Sequence, residues 1–219
     1  DYKIQLAKGD SNRIEGFVQL DGEQKNQEIT INIPEAGIKI NVKSDAQGKA
    51  QVNIPVKKLN LWSPEKPKLY QIEIASATDK VTDKIGFRTI ETRGQDILLN
   101  GKSVFLRGIC MHEENPLIPG RFRSAADMRM ILNWAKELNC NYIRLAHYPH
   151  SEEMIKLADE MGLMIWAEVP VYWTISWENT ETYKNAEKQL TDLIERDKNR
   201  SSVIIWSIGN ETPLSSARF

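Results

Sequence analysis

From Asp1 to about Ile90 apolar and polar residues alternate in short runs, at 2–6, 28–33, 38–42, 51–54 and 70–74. A period of two gives each run one buried and one wet face, which is the signature of strands in an antiparallel sheet. Asp21-Gly22, Gln47-Gly48 and Thr78-Asp79 fall between runs, where the chain must reverse. About seven strands in about ninety residues predict a β-sandwich. Trp62-Ser63-Pro64-Glu65-Lys66-Pro67 interrupts the alternation, since two prolines have no place in a central strand.

Past about Arg93 the texture changes. A hairpin over 97–106 turns at Asn100-Gly101. Ser124 with Asp127 predicts a capped helix with Met128, Ile131, Ala135 and Leu138 inward, followed by an extended run at 141–145. Ser151 caps a second helix with Met154, Ala158 and Met161 on one face and Gly162 as its stop. The run at 163–167 is nearly all apolar. A third helix over 181–197 has Tyr183, Ala186, Leu190 and Leu193 inward, and 203–208 is a further apolar strand. Strands apolar on both faces between amphipathic helices predict a parallel sheet of βαβ units, either an open doubly wound sheet or a closed (β/α)8 barrel.

An open nucleotide-binding sheet needs a glycine-rich turn after its first strand, and this chain has Cys110-Met111-His112-Glu113-Glu114-Asn115-Pro116 there. A barrel gathers its chemistry at the C-terminal ends of successive strands. Here four strands lead to His112 and Glu113, to Arg144 and His147, to Glu168, and to Asn210-Glu211. The same directions put Cys110 after strand one and Cys140 before strand two, about 17 Å apart. That distance is too long for a disulfide and predicts two free thiols.

Composition narrows the function. The chain has 219 residues with 29 basic and 30 acidic side chains, a net charge of −1, which argues against a polyanion-binding protein. No apolar run approaches the ~18 residues of a membrane span. The chain opens without a Met or a leader, so its numbering is expected to begin inside a longer protein. Localisation is left open, periplasmic or secreted ahead of cytoplasmic.

Glu211 is the sharpest chemical candidate. At a strand end, burial beside aromatic and apolar surface raises a carboxyl pKa and prepares it to protonate a leaving oxygen, with Asn210 able to hydrogen-bond a sugar hydroxyl; taken alone, the Asn-Glu dipeptide also reads as a polar helix start after a strand. A barrel-facing Arg144 calls for a carboxylate partner, and Glu168 is the candidate. His112-Glu113 reads equally well as a solvated loop. Pro149 keeps His147 and His150 from sharing a helical face, which speaks against a metal pair. Trp173 and Trp177 read as loop anchors or as sugar-stacking platforms.

Several stretches carry a resemblance: Gly86-Phe87-Arg88, Leu99-Asn100-Gly101-Lys102 with Leu106-Arg107-Gly108, His112-Glu113, and Arg144-Leu145-Ala146-His147-Tyr148-Pro149. Ala167-Glu168-Val169-Pro170 and Ile205-Trp206-Ser207-Ile208-Gly209-Asn210-Glu211 complete the set. In this order they resemble glycoside hydrolase family 2, which contains β-galactosidases, β-glucuronidases and β-mannosidases. The resemblance implies an immunoglobulin-like sandwich over 1–92 and the first half of a (β/α)8 TIM barrel over 93–219. It implies a retaining hydrolase of terminal β-glycosidic bonds, β-galactosidase first, with β-glucuronidase or β-mannosidase as alternatives.

Within that reading Glu211 is the general acid/base, Asn210 holds the sugar 2-hydroxyl, and His112, Arg144 and His147 line the site. Glu168 belongs to its polar network. The substrate expected is a β-linked oligosaccharide or glycoconjugate, with no nucleic acid or membrane partner and with homo-oligomers compatible. No cofactor is required, and a Mg or Na ion in the complete site is compatible with the resemblance. The nucleophile of such enzymes stands on a seventh strand, and a barrel needs roughly 250 residues. The chain is therefore expected to be an internal fragment with little activity alone. The rival readings are a non-catalytic carbohydrate-binding or scaffold module, and a half-barrel that pairs with another chain.

Overall fold

The computed structural model describes residues 1–21 and 26–213. The chain divides into two compact units, residues 1–104 and 105–219. The first contains β1 (Tyr2–Ala7), β2 (Asp10–Gln19), β3 (Glu28–Ile33), β4 (Ile38–Lys43), β5 (Lys49–Pro55), β6 (Tyr70–Ala75) and β7 (Lys80–Ile85). Sheets β1-β2-β5 and β4-β3-β6-β7 are antiparallel throughout. Their inward residues form one core, with Ile14, Ile29, Ile31, Ile33 and Ile85 fully buried. Each such side chain contributes about 1.5–3 kcal/mol over its exposed state. The result is the β-sandwich the alternation predicts. Gly22 of the first expected turn lies outside the described residues.

Trp62, in the proline-flanked break, is fully buried, and its backbone N–H donates to the Phe87 carbonyl at 2.8 Å. A three-stranded sheet of β8 (Ile90–Arg93), β9 (Asp96–Leu99) and β10 (Lys102–Ser103) completes this unit. Its hairpin turns at Asn100 and Gly101, both with positive φ, as a tight right-twisted hairpin requires.

The second unit alternates β11 (Gly108–Met111), α1 (Ala125–Glu137), β12 (Tyr142–Leu145), α2 (Glu152–Met161), β13 (Met164–Glu168), α3 (Thr180–Asp197) and β14 (Val203–Ser207). The strands pair in parallel in the order β11-β12-β13-β14, the sequential order of part of a TIM barrel. One face of the sheet, with Ile143, Leu145, Ile165, Ala167 and Val203, packs with Leu132, Ala135, Ile155, Ala158 and Leu193 of the helices into a single core. The other carries Cys110, Tyr142, Arg144, Trp166 and Glu168, so the strands are not apolar on both sides as expected. Among the described residues no helix is long and apolar enough to cross a membrane.

The helix caps follow the sequence. Ser124 and Ser151 accept the N–H groups of Asp127 and Met154, and Gly162 ends α2 in the left-handed conformation. Asp127 closes its side of the capping box one residue early, accepting from Arg123 N–H at 3.0 Å. Three expectations are corrected. Leu138 is 68 % exposed, because α1 stops at Glu137 and the inward position falls to Leu132. Tyr183 lies at the exposed edge of α3, whose buried residues are Leu193 and Asp197 near its end. Cys110 lies within β11, in register with Arg144, rather than after the strand; it and Cys140 are free.

Gly108 sits opposite Tyr142 at the start of the β11–β12 pair, and a Cβ there would overlap both the ring and the carbonyl of Tyr142. Gly108→Ala is expected to lower the stability of the second unit by about 2 kcal/mol in urea denaturation. An unchanged midpoint would show that β11 docks less tightly than its register indicates.

Candidate active site

Glu168 ends β13 with no exposed surface. Arg144 on β12 donates to its Oε2 from Nε at 2.9 Å and from Nη2 at 2.6 Å. Strand register explains the meeting: Arg144 pairs with Trp166, and Glu168 is the next residue along on the same face. The guanidinium also lies over the Trp166 ring, 4.8 Å from its centroid, where the ring face attracts a cation. The second oxygen of Glu168 accepts from His147 Nδ1 at 2.5 Å. A carboxylate can only accept, so Nδ1 carries the proton and Nε2 is the atom His147 presents outward.

Arg144 Nη2 makes a further bond, to Asn210 Oδ1 at 2.8 Å. With its oxygen held, Asn210 has its NH2 as the group left to donate. Asn210 reaches this place because the chain beyond β14 pairs again with the chain beyond β13: its N–H donates to Val171 O at 2.8 Å, and Tyr172 and Asn210 form a parallel bridge. Gly209 permits the approach, since a Cβ there would stand 3.0 Å from the Val171 carbonyl.

Arg144, His147, Glu168 and Asn210 thus form one hydrogen-bonded group. His112 joins it through an edge-on ring contact with His147 at 5.4 Å. Tyr172 also packs on His147, at 5.9 Å, and meets Trp173 edge-on at 5.5 Å. Trp173 is 61 % exposed, unlike Trp177, which packs against the core. Its Nε1–H donates to Glu211 Oε2 at 2.5 Å. Glu211 therefore has the aromatic neighbour expected of it but not the burial. The carboxyl is exposed, because Glu211 stands past the end of β14, directly after the Asn210 bridge.

The pair His112-Glu113 is not a solvated loop. His112 is exposed, but Glu113 is buried, its carboxylate accepting from Arg121 and from the backbone N–H of Ser151 at 2.8 Å. Glu113 thereby ties the His112 turn to the start of α2. The sequence reading also passed over Tyr172, whose signal is only its place between Glu168 and Trp173. It treated His150 only as a metal candidate. His150 is buried, with Nε2 bonded to the Ala146 carbonyl at 3.0 Å, so it holds the segment that carries His147. Among the described residues no three His, Cys, Asp or Glu side chains gather as metal ligands.

Burial pushes the His150 imidazole down to about 4, outweighing the Ala146 hydrogen bond. Between that value and the 6.5 of the unfolded chain, unfolding takes up a proton, so stability is full above pH 6.5 and falls as pH drops towards 4. The expected loss is about 3 kcal/mol. Urea midpoints from pH 7 to 4.5 should show this fall in the native chain and a shallower one in His150→Phe. Parallel curves would show that His150 remains accessible to protons when folded.

Residues 90–218 match the family described as glycosyl hydrolases family 2, TIM barrel domain, and residues 1–88 match glycosyl hydrolases family 2. A putative beta-glucuronidase of Formosa agariphila is 39 % identical over 163 residues, covering 71 % of this chain and 19 % of its own length. A beta-galactosidase of an Arthrobacter species is 32 % identical over 193 residues, covering 84 % and 19 %. Among solved structures, Bifidobacterium dentium beta-glucuronidase complexed with coumarin-3-O-glucuronide superposes with a TM-score of 0.84 at 25 % identity, over 96 % of this chain and 37 % of that one. The chain thus spans about a fifth of the length of these curated relatives. With its sandwich, its sequentially paired parallel strands and matches that run along nearly its whole length, the chain belongs to glycosyl hydrolase family 2.

Proposed function

We propose that this chain carries the acid/base half of the active site of a retaining β-glycosidase acting on terminal β-galactosides or β-glucuronides. The observation that carries the reading is Asn210, fixed through Arg144 to Glu168 and immediately followed by Glu211. An amide held by its oxygen presents its NH2 to a sugar hydroxyl. The adjacent carboxylic acid then gives its proton to the glycosidic oxygen as the C–O bond breaks and its electron pair leaves with that oxygen.

In the retaining mechanism a second carboxylate, about 5–5.5 Å from the acid, attacks the anomeric carbon. The first residue, now a carboxylate, later takes a proton from the water that releases the sugar. The family resemblance supplies that nucleophile from a seventh strand. His112, His147 and the exposed Trp173 would line the sugar. The galactoside and the glucuronide are supported alike, since the relatives carry both names.

The test uses aryl β-galactosides and aryl β-glucuronides with the enzyme that contains this chain. Glu211→Gln is expected to cut kcat by about 100-fold or more for poor leaving groups and far less for good ones, because only the former depend on protonation. Equal losses across leaving groups would remove Glu211 from the acid role. The 219-residue chain alone is expected to show little turnover, and parent-like turnover would contradict the need for a second carboxylate outside it.

A further inference from the structure

We infer that Trp173 is a positioning residue for Glu211: its indole N–H holds one carboxyl oxygen and so directs the transferable proton to the other. The inference rests on Glu211 being the acid/base proposed above. Tyr172 and Asn210 form the parallel bridge beyond β13 and β14, and the residues that follow them are Trp173 and Glu211. Parallel pairing carries the two side by side. Both leave the bridge with left-handed backbone, φ 52° for Trp173 and 49° for Glu211. A bulky side chain adopts that conformation only where its surroundings impose it, and such residues gather at functional sites.

Trp173 does not behave as a loop anchor. An anchor buries its ring, whereas this ring is mostly exposed and makes its polar bond at its edge, Nε1 to Glu211 Oε2 at 2.5 Å. Its contact with Tyr172, which packs on His147, joins it to the Glu168 group. Glu168 accepts from both Arg144 and His147, and Arg144 donates further to Asn210.

The chemistry follows from the donor. An indole N–H donates and never accepts. When Glu211 is neutral, the indole N–H favours the carbonyl oxygen, the stronger acceptor, at Oε2, and so places the proton on Oε1. When Glu211 is the carboxylate, the same bond persists. Oε1 is then the oxygen that gives the proton to the leaving group and recovers one from water, while Oε2 stays in place through both steps.

Two measurements test this. In the 219-residue chain, the Trp173 indole resonance should be shifted downfield by its bond, and Glu211→Ala should move it to the position of a free indole while the other five tryptophans stay. A resonance unmoved by Glu211→Ala overturns the inference. In the enzyme containing the chain, Trp173→Phe keeps a ring but not the donor. It is expected to lower kcat about tenfold for poor leaving groups with KM nearly unchanged. Trp173→His, which can donate, should recover part of that loss. A rise in KM alone would make Trp173 a stacking platform and overturn the positioning role. If the wild-type enzyme hydrolyses neither glycoside, the glycosidase reading fails, and the indole resonance still decides the Trp173–Glu211 pair.

Discussion

The site depends on how the charge of one buried carboxylate is met. Glu168 is fully enclosed, and an ionised carboxylate there is tolerable only with partners on both oxygens. Arg144 supplies two donors and His147 a third, and each partner is in turn fixed by what Glu168 demands of it. Arg144 extends across Trp166 to reach Asn210. His147 is locked into one tautomer. Groups from three strand ends thus share one set of hydrogen bonds, although the three segments that carry them are far apart in sequence.

Around that centre a series of rings runs from Tyr148 through His112, His147 and Tyr172 to Trp173. Edge-on and tilted contacts of this kind order side chains while leaving faces open. The series joins a buried, rigid pair at Glu168 to an exposed carboxyl at Glu211. Buried support for mobile chemistry is what a site needs when its geometry must hold to fractions of an ångström.

The sandwich was legible because every strand keeps one wet side, so period two survives in the sequence. The parallel unit was legible through its caps, Ser124 and Ser151, and through the polar residues placed at strand ends. Leu138 misled because helical periodicity was carried one step past the point where α1 ends. Tyr183 misled because α3 is polar around much of its surface, and only Leu193 and Asp197 are buried. Glu113 and His150 were unreadable for a different reason. Glu113 meets the Ser151 N–H as well as Arg121, and His150 meets the Ala146 carbonyl; the proximity of such backbone groups depends on tertiary packing rather than on residue type. The expected Arg144–Glu168 pair was readable, since a strand-borne arginine requires a counter-charge. Its extension to His147 and Asn210 required the register.

The most direct measurement is a double-mutant cycle on the chain with Arg144→Met and Glu168→Gln, read by urea denaturation. Removing one member leaves the other buried without its counter-charge, so each single change should cost about 3 kcal/mol, and the double change should cost no more than the larger single one. Costs that simply add in the double variant would show that Arg144 and Glu168 are held independently, and would contradict the central place given to their pairing.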